Sequence, residues 1–180
     1  HLLTDGGTYV YDLELENVAY AYFVRSTAAH ARITEIDIDD ARNAPGVVGV
    51  ITADELGIGQ INPGLQMVSD TFARTPLATD TVRYVGDPIV VIVAETFEQA
   101  VDAAELVYID YDYLTTIVDP EAALDENTEP IFPAQGNNVA FTLADPAEDV
   151  LADATHIVRG RYVNQRVAGA PLEPNSAAAI

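Results

Sequence analysis

The segment at residues 83–114, RYVGDPIVVIVAETFEQAVDAAELVYIDYDYL, constrains the fold more than any other part of the chain. Residues 89–94 form an unbroken apolar run of mostly β-branched side chains, which is typical of a strand covered on both faces. Thr96 and Gln99 follow with the spacing of a capping box, which predicts the start of a helix. We therefore expect a strand, a helix and a second strand, with residues 89–94 in the middle of their sheet.

The predicted helix and the second strand each have one apolar face. Phe97, Ala100, Val101 and Ala104 recur at helical spacing, so one side of a short helix is apolar. A helix of about ten residues is marginal alone in water, so this side must pack on a sheet. In residues 107–113, VYIDYDY, one face of a strand would carry Val107, Ile109, Tyr111 and Tyr113. The other face would carry Tyr108, Asp110 and Asp112, which predicts a strand with its carboxylates facing solvent.

Shorter elements are predicted before this unit. The sequence favours strands at residues 18–24, 33–38 and 47–51. In the second of these, Thr34, Ile36 and Ile38 are expected to share one face. One short helix is predicted to start at Asp39 and Asp40, because acidic residues favour the first turn of a helix. A second is predicted after Thr52, which forms a capping box with Glu55. Residues 57–81 have no periodicity, which indicates a functional or interface loop or an unrecognised short element; we favour the loop.

The last third of the chain has weaker signals. Residues 117–124 predict a short strand and a turn. The polar segment at residues 125–136, with two prolines, is the best domain boundary. Beyond it we expect strands at residues 138–143 and 156–165, with a short helix near 146–154. The final five residues are small, mostly apolar and uncapped, so we expect this chain to be part of a longer polypeptide.

Composition excludes several classes of protein. The chain has 180 residues, which suits one domain or one domain plus part of another, and 49% of them are hydrophobic, enough for a core. No apolar run approaches the roughly 20 residues of a membrane helix, so we expect a soluble protein without a membrane partner. The absence of cysteine excludes disulfides, thiolate ligands and a cysteine nucleophile within this chain, and it fits a cytoplasmic location.

Charge argues against nucleic acid as a partner. The chain has 8 basic residues, all arginine, against 29 acidic ones, for a formal net charge of −21. Nucleic-acid binding depends on cationic contacts to phosphate, which such a chain lacks. The scattered carboxylates indicate a solvated acidic surface. Adaptation to high salt, where charge repulsion is screened, is a second hypothesis for the same composition.

No self-contained active site is predicted, so we assign no catalytic, cofactor-binding or metal-binding residue. The histidines of the chain lack the spacing of metal ligands, and its serines lack the context of a nucleophile elbow. These residues are His1, His30, His156, Ser26, Ser69 and Ser176. The acidic run with Asp37, Asp39 and Asp40 lacks the glycine and glutamate of a calcium loop, so helix capping explains it better. Gly57 and Gly59 form only half of a dinucleotide-binding motif.

Several blocks, in order, resemble the large subunits of molybdenum hydroxylases. Residues 23–33, FVRSTAAHARI, resemble the family's "FVRSPHAHARI". Further similarity lies in PGVVGVITAD at residues 45–54, RYVGDPIVVIVAE at 83–95, AAELVYIDYDYL at 103–114, GNN at 136–138, NQR at 164–166 and PLEP at 171–174. The family includes xanthine dehydrogenase, aldehyde oxidase and aerobic carbon monoxide dehydrogenase, and the resemblance covers essentially the whole chain.

The resemblance implies a mixed α/β (α+β) fold. It implies an α/β hammerhead domain at residues 1–133, followed at residues 134–180 by the truncated beginning of the molybdopterin-binding domain. The parent enzyme would transfer water-derived oxygen to a carbon substrate or oxidise carbon monoxide. Its cofactors would be molybdopterin cytosine dinucleotide with molybdenum, bound outside this chain, and iron-sulfur clusters and FAD on partner domains or subunits.

Two functional hypotheses follow. In the first, this chain is an inactive, scaffolding part of the large subunit, in contact with the remainder of that subunit and with the iron-sulfur and flavin partners. In the second, it is a free-standing, non-catalytic hammerhead module that binds a partner protein. The second rests on the missing cofactor motifs and on the departures from the family pattern.

Those departures are few. Thr27 and Ala28 stand where the family has proline and histidine, and Asn175 replaces an arginine, which puts the substrate class in doubt. Milder differences are Asp87 for glutamine and Leu172 for methionine, and Glu173 is interpreted as structural. Arg25 and Arg32 could contact a partner or an acidic cofactor group; ion pairing with the protein's own carboxylates is the favoured interpretation for both.

Overall fold

The strands and α-helices of the described residues all lie in one compact unit, Val18–Leu143. The computed structural model describes Thr4, Gly6, Gly7 and residues 9–143, 153–165, 167–171 and 175–179. The second unit comprises His1–Asn17 and Ala144–Ile180, and its described residues contain the 3-10 turn Val10–Asp12. No helix in the described ranges has the length and apolar character needed to cross a bilayer.

Two three-stranded antiparallel sheets form the framework of Val18–Leu143. The elements follow in the order β1 (Tyr20–Arg25), β2 (Ala31–Asp37), α1 (Asp39–Arg42), β3 (Val47–Ile51), α2 (Ala53–Leu56), β4 (Thr81–Val82), β5 (Pro88–Ala94), α3 (Phe97–Ala104) and β6 (Tyr108–Tyr113). The first sheet has the order β1-β5-β3 and the second the order β4-β2-β6. The predicted strand, helix and strand are therefore present, and their two strands belong to different sheets.

Strand β5 is the centre of the first sheet, as predicted. It pairs with β1 on one side and with β3 on the other, with Val24 opposite Val90 and Val50 opposite Ile92. The side chains of Ile89, Val90 and Ile92 are fully buried. An apolar run without alternation is what a strand with neighbours on both edges and cover on both faces requires.

Helix α3 begins at the predicted capping box and packs on the first sheet. Thr96 Oγ1 accepts a hydrogen bond from the Gln99 amide at 3.2 Å, and Gln99 Oε1 accepts one from the Thr96 amide at 3.1 Å. The fully buried positions are Ala100 and Ala103, whereas Phe97 stays partly exposed against Tyr22. The most buried face of α3 therefore differs from the predicted one. Small alanine side chains let the helix pack closest to the sheet at these two positions.

The alternation of side chains predicted for strand β2 was wrong. A register shift between Ile33 and Glu35 inserts one extra residue, which is a β-bulge. Thr34 consequently faces solvent, where its hydroxyl donates to Asp110 Oδ2 at 3.1 Å, while Ile36 packs against the core. Thr34 and Ile36 therefore do not share a face, since a one-residue insertion reverses every side chain that follows.

The long loop at residues 57–81 contains short structure that the sequence did not indicate. It includes the 3-10 turn Asp70–Phe72, whose N-cap is Ser69, and an isolated bridge between Ile61 and Arg74. Leu77 is buried within it. Of the two interpretations left open, the unrecognised short element is therefore present, and its buried apolar side chain anchors the loop.

The strand predictions for the last third of the chain were wrong where the structure describes it. Residues 117–124 contain the 3-10 turn Ala122–Leu124 and no strand, and residues 138–143 and 156–165 are also without strands. Their apolar side chains find no pairing segment among the described residues, and a strand needs such a partner. The helix predicted near residues 146–154 lies almost entirely outside the described residues.

Candidate functional site

The end of β1 and the turn before β5 meet to form one surface. The Ser26 amide donates to the Asp87 carbonyl and the Gly86 amide to the Ser26 carbonyl, both at 2.8 Å. Arg25 Nη1 donates to the Gly86 carbonyl at 2.9 Å, and its guanidinium lies 5.5 Å from the Phe23 ring centroid. Gly86 has φ of 95°, a conformation that suits glycine. Two sequence blocks about 60 residues apart are thereby joined.

This surface, which we call the Arg25 surface, consists of Phe23, Arg25, Tyr84 and Val85. Phe23, Tyr84 and Val85 are 41, 43 and 65% exposed. Arg25 forms no ion pair with the described residues, so the ion-pairing interpretation fails for it there. Phe23, an exposed aromatic side chain, lies beside Arg25, and protein interfaces are enriched in both residue types.

Arg32 behaves as predicted. Its Nη1 atom lies 3.1 Å from Asp112 Oδ2, and both side chains are mostly exposed. Exposed ion pairs of this kind contribute at most about 1 kcal/mol to stability. Arg32 therefore supports the pairing of β2 with β6 only slightly.

Ser26 and His30 have structural roles in the turn between β1 and β2. Ser26 Oγ accepts from the Ala28 amide at 3.0 Å and donates to the Ala28 carbonyl at 2.8 Å. His30 Nδ1 lies 2.8 Å from the Thr115 carbonyl, so the ring donates this bond from Nδ1. Ala28, one of the departures from the family pattern, is buried at this turn. Burial raises the pKa of the neighbouring Tyr111 phenol.

The remaining candidate residues are spread over the chain. Ser69 Oγ caps the Asp70–Phe72 turn. Asp37 Oδ1 accepts from the Asp39 amide at 3.0 Å, but the N-cap residue of α1 is Ile38, which has no side-chain capping bond. His156, Ser176 and Asn175 are exposed. The residues that lie outside the described part of the chain are His1, Leu172 and Glu173.

A pocket of about 210 Å³ lies between the 57–81 loop, β4 and the segment around Pro133. We call it the Arg83 pocket; it is lined by Gln60, Thr71, Ala73, Arg74, Thr75, Ala78, Thr79, Asp80, Thr81, Arg83, Asp87, Phe132, Pro133 and Ala134. Arg83 Nη1 donates to the Thr81 carbonyl at 3.1 Å, and its guanidinium lies 4.7 Å from the Phe132 ring centroid. Arg83 is therefore held in one orientation within the pocket.

Asp87 is the buried acid of the Arg83 pocket, with 7% of its surface exposed. Its Oδ2 atom accepts from the Arg83 amide at 3.1 Å, and its Oδ1 atom lies 3.6 Å from Arg74 Nη1. Arg74 also lies over the Tyr84 ring at 5.2 Å. The substitution of aspartate for glutamine, which we treated as mild, thus places a charge against Arg74.

Sequence reasoning missed the Arg83 pocket. Arg83 and Asp87 share one block, but Arg74 comes from the apparently structureless loop and Phe132 from the predicted boundary segment. Neither segment has periodicity from which its position could be inferred. The usable signal was limited to an arginine and an acid in a block that precedes a buried strand.

The Arg83 pocket does not fit the molybdenum cofactor that the resemblance implies. The described residues contain no group of three or more histidine, cysteine or acidic side chains placed to hold a metal. The Arg83 pocket, at about 210 Å³, is smaller than the roughly 300–1,000 Å³ of sites for drug-sized ligands, and a molybdopterin dinucleotide is larger still.

Comparison with known proteins establishes the family. The family model "Aldehyde oxidase and xanthine dehydrogenase, a/b hammerhead domain" matches residues 4–115. The gamma subunit of the 6-hydroxypseudooxynicotine dehydrogenase complex of Paenarthrobacter nicotinovorans is 38% identical over 97% of this chain and 23% of its own length. The xanthine dehydrogenase molybdenum-binding subunit of Escherichia coli O157:H7 is 34% identical over 72% of this chain and 18% of its own length.

A solved structure agrees with these relatives. Reconstituted CO dehydrogenase from Oligotropha carboxidovorans superimposes with a TM-score of 0.62 at 34% identity, over 70% of this chain and 15% of that one. The chain spans less than a quarter of the length of the curated relatives it matches. The resemblance to molybdenum hydroxylase large subunits and the hammerhead fold are confirmed, and the chain belongs to the aldehyde oxidase and xanthine dehydrogenase family through its a/b hammerhead domain.

Proposed function

We propose that this chain is the hammerhead part of the large subunit of a molybdenum hydroxylase-type oxidoreductase. Its hammerhead domain would occupy residues 1–133, and residues 134–180 would begin the molybdopterin-binding domain. The family match over residues 4–115 and the short span relative to curated relatives support this assignment. A cytoplasmic location is part of the proposal, because the absence of cysteine fits a reducing compartment.

The complete enzyme would oxidise a carbon substrate with oxygen from water and pass the electrons through iron-sulfur clusters to a flavin. Polypeptide other than the described residues would bind the molybdopterin cytosine dinucleotide. The relatives' names refer to a nicotine derivative, xanthine and carbon monoxide, so the substrate class stays open. The described residues would be catalytically silent and would act as scaffold and contact surface.

The observation that supports the proposed role as a contact surface is the Arg25 surface. Its aromatic and aliphatic side chains are exposed although the adjacent strand β5 is buried. Arg25 is fixed by its bond to the Gly86 carbonyl and by its position over Phe23, so little side-chain entropy is lost when a partner covers it. A fixed arginine against an exposed aromatic ring is typical of an interface hot spot. We propose the iron-sulfur partner as its occupant.

The test is made in the purified complete complex. Val85→Asp places a charge in the Arg25 surface, and Val118→Asp places the same charge at a position that is 75% exposed and outside that surface. We expect iron content per large subunit to fall at least about tenfold in Val85→Asp and to stay unchanged in Val118→Asp, because a buried unpaired charge opposes association. Equal iron content in both variants would contradict the proposed contact.

A second measurement tests the catalytic assignment. Elemental analysis of the complete complex should find molybdenum, whereas the 180-residue chain alone should retain none after desalting. Molybdenum bound stoichiometrically to the 180-residue chain would overturn the proposal that these residues are silent. A native complex without molybdenum would overturn the assignment to a hydroxylase-type oxidoreductase.

A further inference from the structure

The first sheet packs against the hydrophobic core on one face only. Val90 and Ile92 of β5 and Val50 of β3 belong to that core, which α3 also joins. Val91 and Val93, which alternate with them along β5, are half-buried and are not among the core residues in the part of the chain that the structure describes. The apolar run of β5 is typical of a strand covered on both faces, so one expected cover is missing there.

The strand register brings five apolar positions together on this second face. Val91 lies opposite Ile51, and Val93 lies opposite both Ala21 and Gly49. Directly paired residues project to the same side of a sheet. We call this surface the outer face; it consists of Ala21, Gly49, Ile51, Val91 and Val93. It carries no polar or charged side chain, although 21% of the chain is charged, which indicates a contact surface and not a solvated one.

Gly49 gives an independent indication that other polypeptide approaches the outer face. Its φ does not lie in the left-handed region, so the backbone conformation does not require glycine. A Cβ built at Gly49 meets nothing within 4 Å, so no neighbour among the described residues requires glycine either. Glycine inside a strand weakens the strand and often marks a site where another backbone comes close. Gly49 therefore points to a backbone that packs over it.

The size of the outer face limits what can cover it. Its five positions occupy less than roughly 200 Å², at about 4.8 Å between strands and about 6.6 Å between residues of one face. A stable interface with a partner from solution takes about 800 Å² on each side. Polypeptide joined covalently to this chain loses far less translational freedom on docking, so a small apolar face is enough to hold it.

We propose that the outer face docks an uncharged, apolar segment of the same large subunit, from polypeptide outside residues 1–180. Its backbone would lie over Gly49. The chain spans less than a quarter of the length of its curated relatives, so such a subunit has ample further polypeptide. Phe23, opposite Val91, borders the outer face and belongs to the Arg25 surface, which stays available to the iron-sulfur partner. The inference rests on the proposed function, because it takes the chain to be part of a large subunit.

An introduced thiol measures whether the outer face is covered. The chain has no cysteine, so any maleimide label found within residues 1–180 by mass spectrometry lies at the introduced thiol. Ala21→Cys is at an exposed position of the outer face, and Val118→Cys is the control at an exposed position elsewhere. We expect Ala21→Cys to react with N-ethylmaleimide at least about tenfold more slowly in the complete complex than in the 180-residue chain, because labelling then requires local opening.

The control and two further samples identify the cover. Val118→Cys should react at the same rate in the complex and in the 180-residue chain. Slow labelling of Ala21→Cys that persists in dilute large subunit without its partners assigns the cover to the same subunit. Equal rates for Ala21→Cys in the complex and the 180-residue chain would overturn the proposal. Protection that needs the partner subunits, or that is lost when the large subunit is diluted, would also overturn it, in favour of a partner or a second copy.

A second variant tests the close approach at Gly49. In the 180-residue chain, Gly49→Val should leave the thermal midpoint unchanged or raise it by about 2–4 °C, because open space receives a side chain that favours strands. Combined with Ala21→Cys in the complete complex, it should speed labelling at least about tenfold, since the side chain holds the docked backbone away. Gly59→Val, where a Cβ also meets nothing within 4 Å, is the matched control. Labelling that stays slow with Gly49→Val, or rises equally with Gly59→Val, would overturn the close approach.

The molybdenum content of the same samples separates this inference from the proposed function. A molybdenum-containing complex in which Ala21→Cys reacts freely would overturn the docking at the outer face and leave the proposed function standing. A complex without molybdenum would overturn the proposed function, and the labelling rates of Ala21→Cys would still decide whether the outer face is covered.

Discussion

Strand β5 and residues 153–171, which we call the exposed segment, show that a strand-like sequence is not by itself a strand. Both contain β-branched residues, and both led to strand predictions, at residues 89–94 and 156–165. β5 is paired along both edges, whereas Val158 and Tyr162 in the described part of the exposed segment are 94 and 93% exposed. The strand propensity of a residue mainly reflects how well its side chain packs on a pleated, half-buried surface. It therefore favours a strand only where a neighbouring strand is present to pair with.

The difference has a local cause. β5 receives β1 and β3 as neighbours, and α3 follows it closely enough to cover one face. Each contact removes apolar area from water, at about 25 cal/mol per Å². The described part of the exposed segment has no paired strand, so its apolar side chains gain no comparable burial there.

The largest expected effect comes from the same substitution in the two regions. Val90→Ala in β5 removes two methyl groups from a fully buried position, and we expect it to lower the free energy of unfolding by about 2–3 kcal/mol, including the cavity left behind. Val158→Ala, at a highly exposed position, should change it by less than about 0.5 kcal/mol. Urea unfolding of both variants measures the difference, and equal destabilisation would break the comparison.

A pair of glycine substitutions sharpens the comparison at the backbone. Gly46 has φ of 75°, and a Cβ there would collide with the Gln99 side chain that caps α3. Gly46→Ala should therefore cost about 1–2 kcal/mol of unfolding free energy through left-handed strain and a disturbed cap. Gly169→Ala, where a Cβ meets nothing within 4 Å, should be nearly neutral.

Urea unfolding measures both glycine variants as well. A double variant, Gly46→Ala with Gln99→Ala, separates the two causes, because the strain remains while the collision is removed. If Gly46→Ala proved as harmless as Gly169→Ala, the turn before β3 would not have the conformation described. A fully additive double variant would show that Gln99 has no part in the cost.

Much of the first 115 residues could be predicted because local signals and burial agree there. Capping boxes begin at Thr52 and Thr96, the glycine after α2 is left-handed, and β5 is an unbroken apolar run. The bulge at Thr34 was not predictable, because one inserted residue leaves no mark in the pattern and reverses the faces beyond it. The strands predicted at residues 117–124, 138–143 and 156–165 failed because pairing depends on distant segments.

The candidate site was less predictable than the fold. The resemblance to a family was carried by residues 23–33 and 83–95, but the Arg83 pocket needs Arg74 and Phe132, which lie outside both blocks. Their contribution depends on how the 57–81 loop folds back, and an isolated bridge between Ile61 and Arg74 is what positions it. Contacts of this kind depend on tertiary structure, and no periodicity in the sequence indicates them.

A smaller effect is expected at the helix cap. Thr96→Ala removes the hydroxyl that accepts from the Gln99 amide, and loss of such a cap costs about 1 kcal/mol. Thr155→Ala, in the exposed segment, is the matched control and should be close to neutral. Thermal unfolding followed by circular dichroism measures both; a Thr96→Ser variant should recover most of the loss, and failure to do so would assign it to packing of the methyl group.

The smallest effect is a pH dependence at the cap of α2. The Thr52 amide donates to Glu55 at 3.0 Å, and this bond, aided by Arg42, lowers the pKa of the Glu55 carboxyl below its usual 4.5. Because the folded-state pKa is depressed, the ionised carboxylate stabilises the fold above the unfolded-state pKa, and this contribution is lost as pH falls through the folded-state value. Since Glu55 is largely exposed, we expect at most about 0.5 kcal/mol.

Two variants apportion this contribution. Glu55→Gln should be less stable than the parent at pH 7, and the difference in unfolding free energy should shrink toward zero near pH 3 or below, where both forms are uncharged. Arg42→Met should retain most of the depression of the Glu55 pKa, followed by carbon NMR of the carboxyl, because the Thr52 amide is its largest cause. If Arg42→Met instead restored the usual pKa, the ion pair and not the capping bond would hold this carboxylate.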